Sequence, residues 1–528
     1  MSALRLDQFL ASAAVSFILA APVSALGQQT EPSTSPPAGV VQAAAPALAL
    51  EERQAPDRLA SLDPADRAIA ERIRDLLDTK PNRIFADEQV RVAVEAFYQK
   101  RNLAPLWLDK GLENGRSKAV IARLKNADAD GLDHADYKTP AFNGLSPEGL
   151  AEAELTLTQT LLTYARHLQA GRVPHRQVRE DNIALPQRAP DPAVVLAAVV
   201  EGDDAGQALD QFSPPYENYQ KLKAALAQLR GRTAGSARDA RTVKKPNLTN
   251  DRRIDTIVAN MERWRWYHRE IHKSRVEVNE PDFTLKVIHD GRQVWTTRVV
   301  IGKPSMPSPL LAQQMDSITI NPTWKVPASI VRNEYLPAEA RERGALARMG
   351  MRMKRVNGEM EITMPPGGLN PLGHIRFNFF NRLTVFQHDT PDQYLFAHVV
   401  RAESHGCMRV QDAPKYAAVL ASIVHPEEQW TAEKVKGLYA GSTEHEISLG
   451  SGPIWIYWTY QTAFVDDAGK LQTRRDLYNL DSRTLAAIKG ARASGNPVSA
   501  SKSDPKMAAP APSASRRRKA ARMHQDRS

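Results

Sequence analysis

A single cysteine, Cys407, stands among 528 residues, and two histidines lie close to it in sequence. His388 opens the run His388-Asp389-Thr390-Pro391, and the cysteine sits in Ser404-His405-Gly406-Cys407-Met408-Arg409-Val410. The thiolate, not the thiol, is the useful nucleophile, and a free cysteine ionises only near about pH 8.5. Cys407 therefore needs a neighbouring base or a positive field. His388 closes a strand-like run and could meet Cys407 across paired strands. His405, two residues before the cysteine, would share its face on an extended segment. Gly406 lets the backbone approach a carbonyl, and N–H groups near Gly406 and Cys407 could serve as oxyanion donors. Arg409, two residues beyond, shares the face again if extended, and its guanidinium fork fits a carboxylate. Together these residue types suit acyl transfer through a thioester.

Blander uses of the same residues exist. Two histidines and a cysteine are metal ligands, but a structural zinc site wants four ligands, usually with a second cysteine, and there is none. The cysteine alone would pass as a small buried hydrophobe. His405 is equally able to fix a turn, and Arg409 to make a structural ion pair. An exported chain often pairs its cysteines, and a lone thiol outside the cytosol is open to oxidation, so its presence asks for a reason.

Export is the reading of the N-terminus. Arg5, the uncharged apolar run Phe9 to Ala21, and Val23-Ser24-Ala25 follow the layout of a signal peptide over residues 1–26. The run is shorter than the roughly 20 residues of a comfortable membrane span, although an uncleaved anchor stays open. The expected location is the periplasm, which sets nucleic acid aside as a partner. The net charge of +10 is uneven: Arg516, Arg517, Arg518, Lys519, Arg522 and Arg527 against Asp526 give the terminal stretch +5. A basic surface suits an anionic wall polymer or lipid as well as nucleic acid, so the sign alone does not choose.

The elements that must carry the motif fall into an α+β pattern. Residues 27–55 are rich in Pro, Ala, Ser and Gln and read as a disordered linker. Residues 56–232 read as a helical domain: Val90, Val94 and Phe97 repeat at helical spacing, as do Leu155, Leu162, Ala165 and Leu168 before Gly171. A Gly/Arg/Lys-rich linker is expected at 233–251. Residues 252–485 read as β-rich. Val276 to Val278 and Thr284 to Ile288 alternate at period two, Asp290-Gly291 signals a hairpin, and Val294 to Ile301 returns. Further strands are expected at Ser317 to Ile320, Leu383 to Gln387 and Ile454 to Trp458. A helical segment, Glu334 to Gly350, would form part of a cap. Residues 486–528 read as a basic disordered tail.

The motif resembles the signature of the L,D-transpeptidases, the YkuD-type catalytic domain. In that signature a histidine is followed, after fourteen to seventeen residues, by Ser/Thr-His-Gly-Cys with Arg or Asn nearby; the spacer here, Asp389 to Glu403, has fifteen. The resemblance extends to the large YcbB-like branch. Glu262-Arg263-Trp264-Arg265-Trp266, Gly302-Lys303-Pro304, Asn321-Pro322-Thr323-Trp324-Lys325-Val326-Pro327 and Asn370-Pro371-Leu372-Gly373 are similar to its catalytic part. Phe97-Tyr98, Pro105-Leu106-Trp107 and Gly131-Leu132-Asp133 are similar to its helical scaffold domain, and Tyr457-Trp458-Thr459 and Asp476-Leu477-Tyr478 to its C-terminal strand region.

The resemblance implies that Cys407 is the nucleophile and His388 the general base. It places Ser404, His405 and Gly406 in the oxyanion and orienting shell and Arg409 in substrate binding. It further implies peptidoglycan stem peptides as substrate, carbapenem acylation of Cys407, and a reaction needing no metal or organic cofactor. The acyl acceptor is left open between a diaminopimelate amine, an envelope-protein amine and water; a non-catalytic wall-binding protein is the rival from another class. Two departures stand out. The stretch Tyr216 to Asp251 is too short for the peptidoglycan-binding module usual in this branch, and Ser308 stands where threonine is common.

Overall fold

The computed structural model describes residues 59–79, 84–179, 182–238, 248–450 and 454–493. The expected signal peptide, the first linker and the tail beyond residue 493 lie outside these residues. No helix among the described residues is long and apolar enough to cross a membrane.

The N-terminal half is helical: α1 (Pro64–Thr79), α2 (Glu88–Lys100), α3 (Gly115–Lys125), α4 (Pro147–Ala170) and α5 (Pro192–Glu201). Local sequence explains the ends of α4. The Ser146 side chain accepts from the Gly149 N–H, Pro147 fills the first turn, and Gly171 stops the helix at φ 89°. The stripe Leu155, Leu162, Ala165 and Leu168 lies inside a core of its own with Val94, Tyr98 and Trp107.

Two more helices follow, α6 (Glu217–Arg238) and α7 (Leu248–Trp264). Their positions correct the expected boundaries. α6 runs past residue 232, and α7 begins inside the expected linker. Tyr219, Leu222 and Leu226 of α6, with Ile257 and Met261 of α7, are buried in the core of the β-rich part, not in that of the preceding helices. Their apolar faces find the larger unfilled surface there, a choice that helical periodicity alone cannot make.

The β-rich part contains β1 (Arg275–Asn279), β2 (Thr284–His289), β3 (Arg292–Gly302), β4 (Leu310–Ile320), β5 (Trp324–Lys325), β6 (Arg352–Val356), β7 (Glu359–Met364), β8 (Ile375–Phe379), β9 (Gln387–His388), β10 (Ala402–Ser404), β11 (Met408–Val410), β12 (His445–Ser448) and β13 (Ile454–Thr459). The hydrogen-bonded order is β8-β9-β11-β3-β2-β1-β13-β4, and β4 pairs back onto β8, so the sheet closes on itself. Closure removes most of the free edges. The Asp290-Gly291 turn has both residues at positive φ, 47° and 77°, as a two-residue hairpin of this kind requires. Helix α8 (Ala413–Val424) packs Tyr416 and Leu420 into the same core, and α9 (Leu480–Ala493) continues past residue 485, the expected end of the domain.

One expected strand is corrected. Of Leu383 to Gln387, only Gln387 is extended in the ladder. Asn381 donates to the Val385 carbonyl (2.7 Å) and accepts from its N–H (3.2 Å), and Thr384 sits at φ 53°. A side-chain turn therefore displaces the strand.

Between β4 and β8 lies the cap. β5, β7 and β6 form a small antiparallel sheet, and short helical turns between residues 328 and 348 cover it. Trp324, Val331, Leu346, Ile362 and Leu372 give it a separate apolar core, against which Phe386 also packs.

Buried charges tie the helical half to the barrel. Glu262 at the end of α7 accepts from Arg265 (2.9 Å) and from the backbone N–H groups of Val173 (3.2 Å) and Arg172. A Cβ on Gly171 would come within 2.6 Å of its carboxylate, so glycine is needed there for space as well as for φ. Arg265 also reaches the Tyr219 hydroxyl (3.0 Å) and the Asp130 carbonyl, while Arg172 donates to the Gly131 carbonyl (3.1 Å). The motifs around Gly131 and Glu262 are thus the two sides of one buried junction.

Candidate active site

The ladder sets the site. β9 runs parallel to β11 with Gln387 opposite Met408 and His388 opposite Arg409. Met408 and Val410 point into the barrel core, and Gln387 points the same way, accepting from the Tyr416 hydroxyl at 2.9 Å. Alternation then sends His388 and Arg409 to the outer face. Cys407 immediately precedes β11, so the chain delivers it next to the strand that carries His388. Among the described residues no hydrogen bond joins thiol and imidazole.

His388 is buried, and its Nδ1 lies 2.5 Å from the Asp389 carbonyl. A carbonyl can only accept, so Nδ1 carries the proton and Nε2 keeps its lone pair. Burial pushes the imidazole down to about 3, Asp389 opposes this, and the Arg409 charge adds to it. Cys407 retains partial exposure, but enclosure of its thiol pushes it up to about 11, against a backbone hydrogen bond at Phe386. Both partners therefore rest neutral. The backbone under His388 is held by a further layer. The Asp389 carboxylate accepts from the His374 N–H (3.0 Å), and a Cβ on Gly373, which sits at φ 60°, would strike that carboxylate. Asn370 shapes the turn by donating to the Pro322 carbonyl (2.9 Å) and accepting from the Leu372 N–H (2.9 Å). Those contacts are the physical content of the Asn370 to Gly373 motif.

The nucleophile turn is not extended as expected. β10 ends at Ser404, and 405–407 form a bend with Gly406 at φ 115°. Its Cβ would find no atom closer than 3.7 Å, so backbone conformation, not crowding, requires the glycine. Ser404 clamps the bend: its hydroxyl donates to the Cys407 carbonyl (2.5 Å) and accepts from the Gly406 N–H (3.2 Å). This corrects the oxyanion expectation in part. The Gly406 N–H is already engaged, which leaves the Cys407 N–H as the donor of the bend. His405 does not share the cysteine's face; it turns outward to Glu334 of the cap (3.1 Å) and Lys303 (3.4 Å). Arg409 is on the expected face but already pairs with Asp392 at 2.9 Å.

Behind the bend lies a network that spacing did not reveal. The Ser308 hydroxyl donates to the Gly406 carbonyl (2.8 Å) and accepts from the Gly302 N–H (3.0 Å), and the Tyr478 hydroxyl donates to the Gly302 carbonyl (2.5 Å). Gly302 cannot be replaced, because a Cβ would fall 2.2 Å from the Met306 carbonyl oxygen. In the sequence, Gly302 and Tyr478 lie in two separate family-like segments, and Ser308 stands in the first of them where threonine is common. Among the described residues two acidic clusters of metal-binding type occur, Asp128-Asp133-His134 and His425-Glu427-Glu428, and neither includes a residue of this site.

Two family models match the chain. The L,D-transpeptidase catalytic domain family (YkuD) matches residues 273–434, and the Scaffold domain family matches residues 92–226. A curated protein of Haemophilus influenzae, provisionally named an L,D-transpeptidase, is 25% identical over 229 residues, covering 40% of this chain and 45% of that protein. The chain thus spans less than half the length of this relative. Solved structures with similarity include the carbamoyl enzyme of Ldtfm with avibactam (13% identity, 36% of this chain, 49% of that chain, TM-score 0.17). Another is a cysteine-to-serine mutant of an Enterococcus faecium L,D-transpeptidase (10% identity, 53% of this chain, 94% of that chain, TM-score 0.19). Residues 273–434 of this chain are an L,D-transpeptidase catalytic domain of the YkuD type, joined to a Scaffold domain at residues 92–226.

Proposed function

We propose that this protein is a periplasmic peptidoglycan L,D-transpeptidase that forms a thioester on Cys407 from a tetrapeptide stem and passes the acyl group to a diaminopimelate amine. The observation that carries the reading is the locked tautomer of His388. Its Nδ1 proton is committed to the Asp389 carbonyl, so Nε2 keeps the lone pair a base needs, on the strand paired with the one that Cys407 immediately precedes.

In the first half-reaction the thiol proton moves to His388 Nε2 as sulfur attacks the carbonyl after the L-centre of diaminopimelate. The Cys407 N–H faces the developing oxyanion. The C–N bond to D-alanine then breaks, and the departing amine takes the proton from the imidazolium. In the second half an amine attacks the thioester, gives its proton to Nε2, and the thiol is restored. Neutral resting partners suit this order, because the proton moves only once a carbonyl is in place. The same sulfur is the atom a carbapenem would acylate, and the apolar run Phe9 to Ala21 supports export.

Incubation with disaccharide-tetrapeptides tests the proposal. D-Alanine release together with a dimer in the mass spectrum is expected. Release without a dimer would move the acceptor to water or to a protein amine; no release and no carbapenem adduct would end the enzymatic reading.

A further inference from the structure

Arg409 was the expected cation for a substrate carboxylate, yet Asp392 already occupies it and only 17% of its side chain is exposed. A second cationic position lies at the other edge of the nucleophile bend. Lys303 follows β3 directly, and its backbone N–H donates to the Ser404 carbonyl (2.9 Å), so its Cα is fixed to the bend. Its Nζ comes to 3.4 Å from His405 Nε2. His405 Nε2 in turn lies 3.1 Å from a carboxylate oxygen of Glu334. Glu334 belongs to a different body, the π turn Val331–Tyr335 of the cap. Single π turns interrupt helices mostly at functional positions.

One imidazole nitrogen cannot serve both neighbours. If Nε2 carries a proton it donates to Glu334, and the Lys303 ammonium faces an N–H. If Nε2 has its lone pair it accepts from Lys303, and Glu334 loses its donor. A carboxylate set between Lys303 and His405 resolves the conflict, since its two oxygens accept from both. Glu334 supplies one such oxygen from the cap. Both the His405 and Glu334 side chains stay accessible, 38% and 44% exposed, so another carboxylate can take its place.

We infer that Lys303 and His405 form a subsite for a carboxylate of the acidic stem peptide, and that Glu334 of the cap holds this subsite until substrate displaces it. The inference rests on the proposed reading of the substrate. Glu334 stands in for the ligand: its removal strengthens substrate binding, whereas removal of a mere structural contact would weaken it or leave it unchanged.

Calorimetric titration of a tetrapeptide stem into Cys407→Ala protein, which cannot turn over, gives the test. Adding Glu334→Ala is expected to lower Kd about five- to tenfold, and Glu334→Gln to lower it by a smaller factor. Adding Lys303→Met is expected to raise Kd about tenfold or more and to cancel the gain from Glu334→Ala. Stems amidated at the D-glutamate, the diaminopimelate or the terminal D-alanine carboxyl separate the three sources: the Glu334 effect vanishes for the stem whose bound carboxylate is masked. An unchanged or raised Kd in Glu334→Ala, or an equal gain for all three amidated stems, overturns the subsite. D-Alanine release by the unmutated protein is read alongside. Release with no Glu334 effect sinks the subsite alone; a Glu334 effect with no release keeps the subsite and sinks the reaction.

Discussion

Glu154 in the helical half and His388 in the barrel are both buried ionisable groups, and they are treated differently. Glu154 accepts from the Tyr98 hydroxyl (2.8 Å), from the Trp107 N–H (3.1 Å) and from the Leu106 N–H, so each carboxylate oxygen is engaged. It thereby pins the Pro105 to Trp107 segment to α4. His388 has one nitrogen tied and the other free to act as a base. Full satisfaction of a buried polar group fixes a structure, whereas one open lone pair in the same kind of enclosure leaves capacity for chemistry. The contrast also separates Glu262, paired by Arg265, from the cap contact of Glu334, which stays exposed and exchangeable.

The sharpest way to break the comparison is at the site. Cys407→Ala should abolish every thioester and carbapenem adduct in intact-mass spectra and cut D-alanine release by at least about 10³-fold. His388→Gln should cost about 10²- to 10⁴-fold in acylation rate with unchanged thermal stability to within about 0.5 kcal/mol. A large loss of stability instead would place His388 with the structural groups. At the junction the balance should reverse. Glu262→Ala leaves Arg265 buried without its partner and should destabilise by about 3–5 kcal/mol in chemical denaturation.

Three pH experiments sharpen the contrast further. The base form of His388 is the neutral one, and its pKa is pushed down to about 3. The rate of acylation should therefore change little between pH 7.5 and 5.5, a range in which an ordinary imidazole near about 6.5 would lose most of its basic form. With the Cys407 thiol pushed up to about 11, iodoacetamide should alkylate it slowly at pH 7 and faster above pH 9. Glu154 gives the smallest effect. Its carboxyl is raised to about 7, chiefly by burial. The folded chain holds this proton more tightly than the unfolded one, so the associated stability is complete below the ordinary carboxyl pKa and declines as pH rises through about 7. Denaturation midpoints at pH 5 and pH 8 should differ in the unmutated protein and differ less in Glu154→Gln.

Local residue choices made several elements readable in advance: the helix stripe closed by Gly171, the Asp290-Gly291 hairpin, and the order histidine, fifteen-residue spacer, Ser-His-Gly-Cys. These depend on φ preferences and on period, which neighbours in sequence determine. The pairing of Arg409 with Asp392, the reach of Glu334 to His405 across 71 positions, and the Tyr478 contact to Gly302 across 176 were not readable. The face presented by His405 also differs from that of an extended segment, because a bend rather than a strand carries it. Sequence by itself determined which groups could do chemistry and in what order they arrive. Only the closed sheet decided which of them share a face and which are already spent on one another, because ladder register and long-range contacts are set by burial of the whole core and not by spacing along the chain.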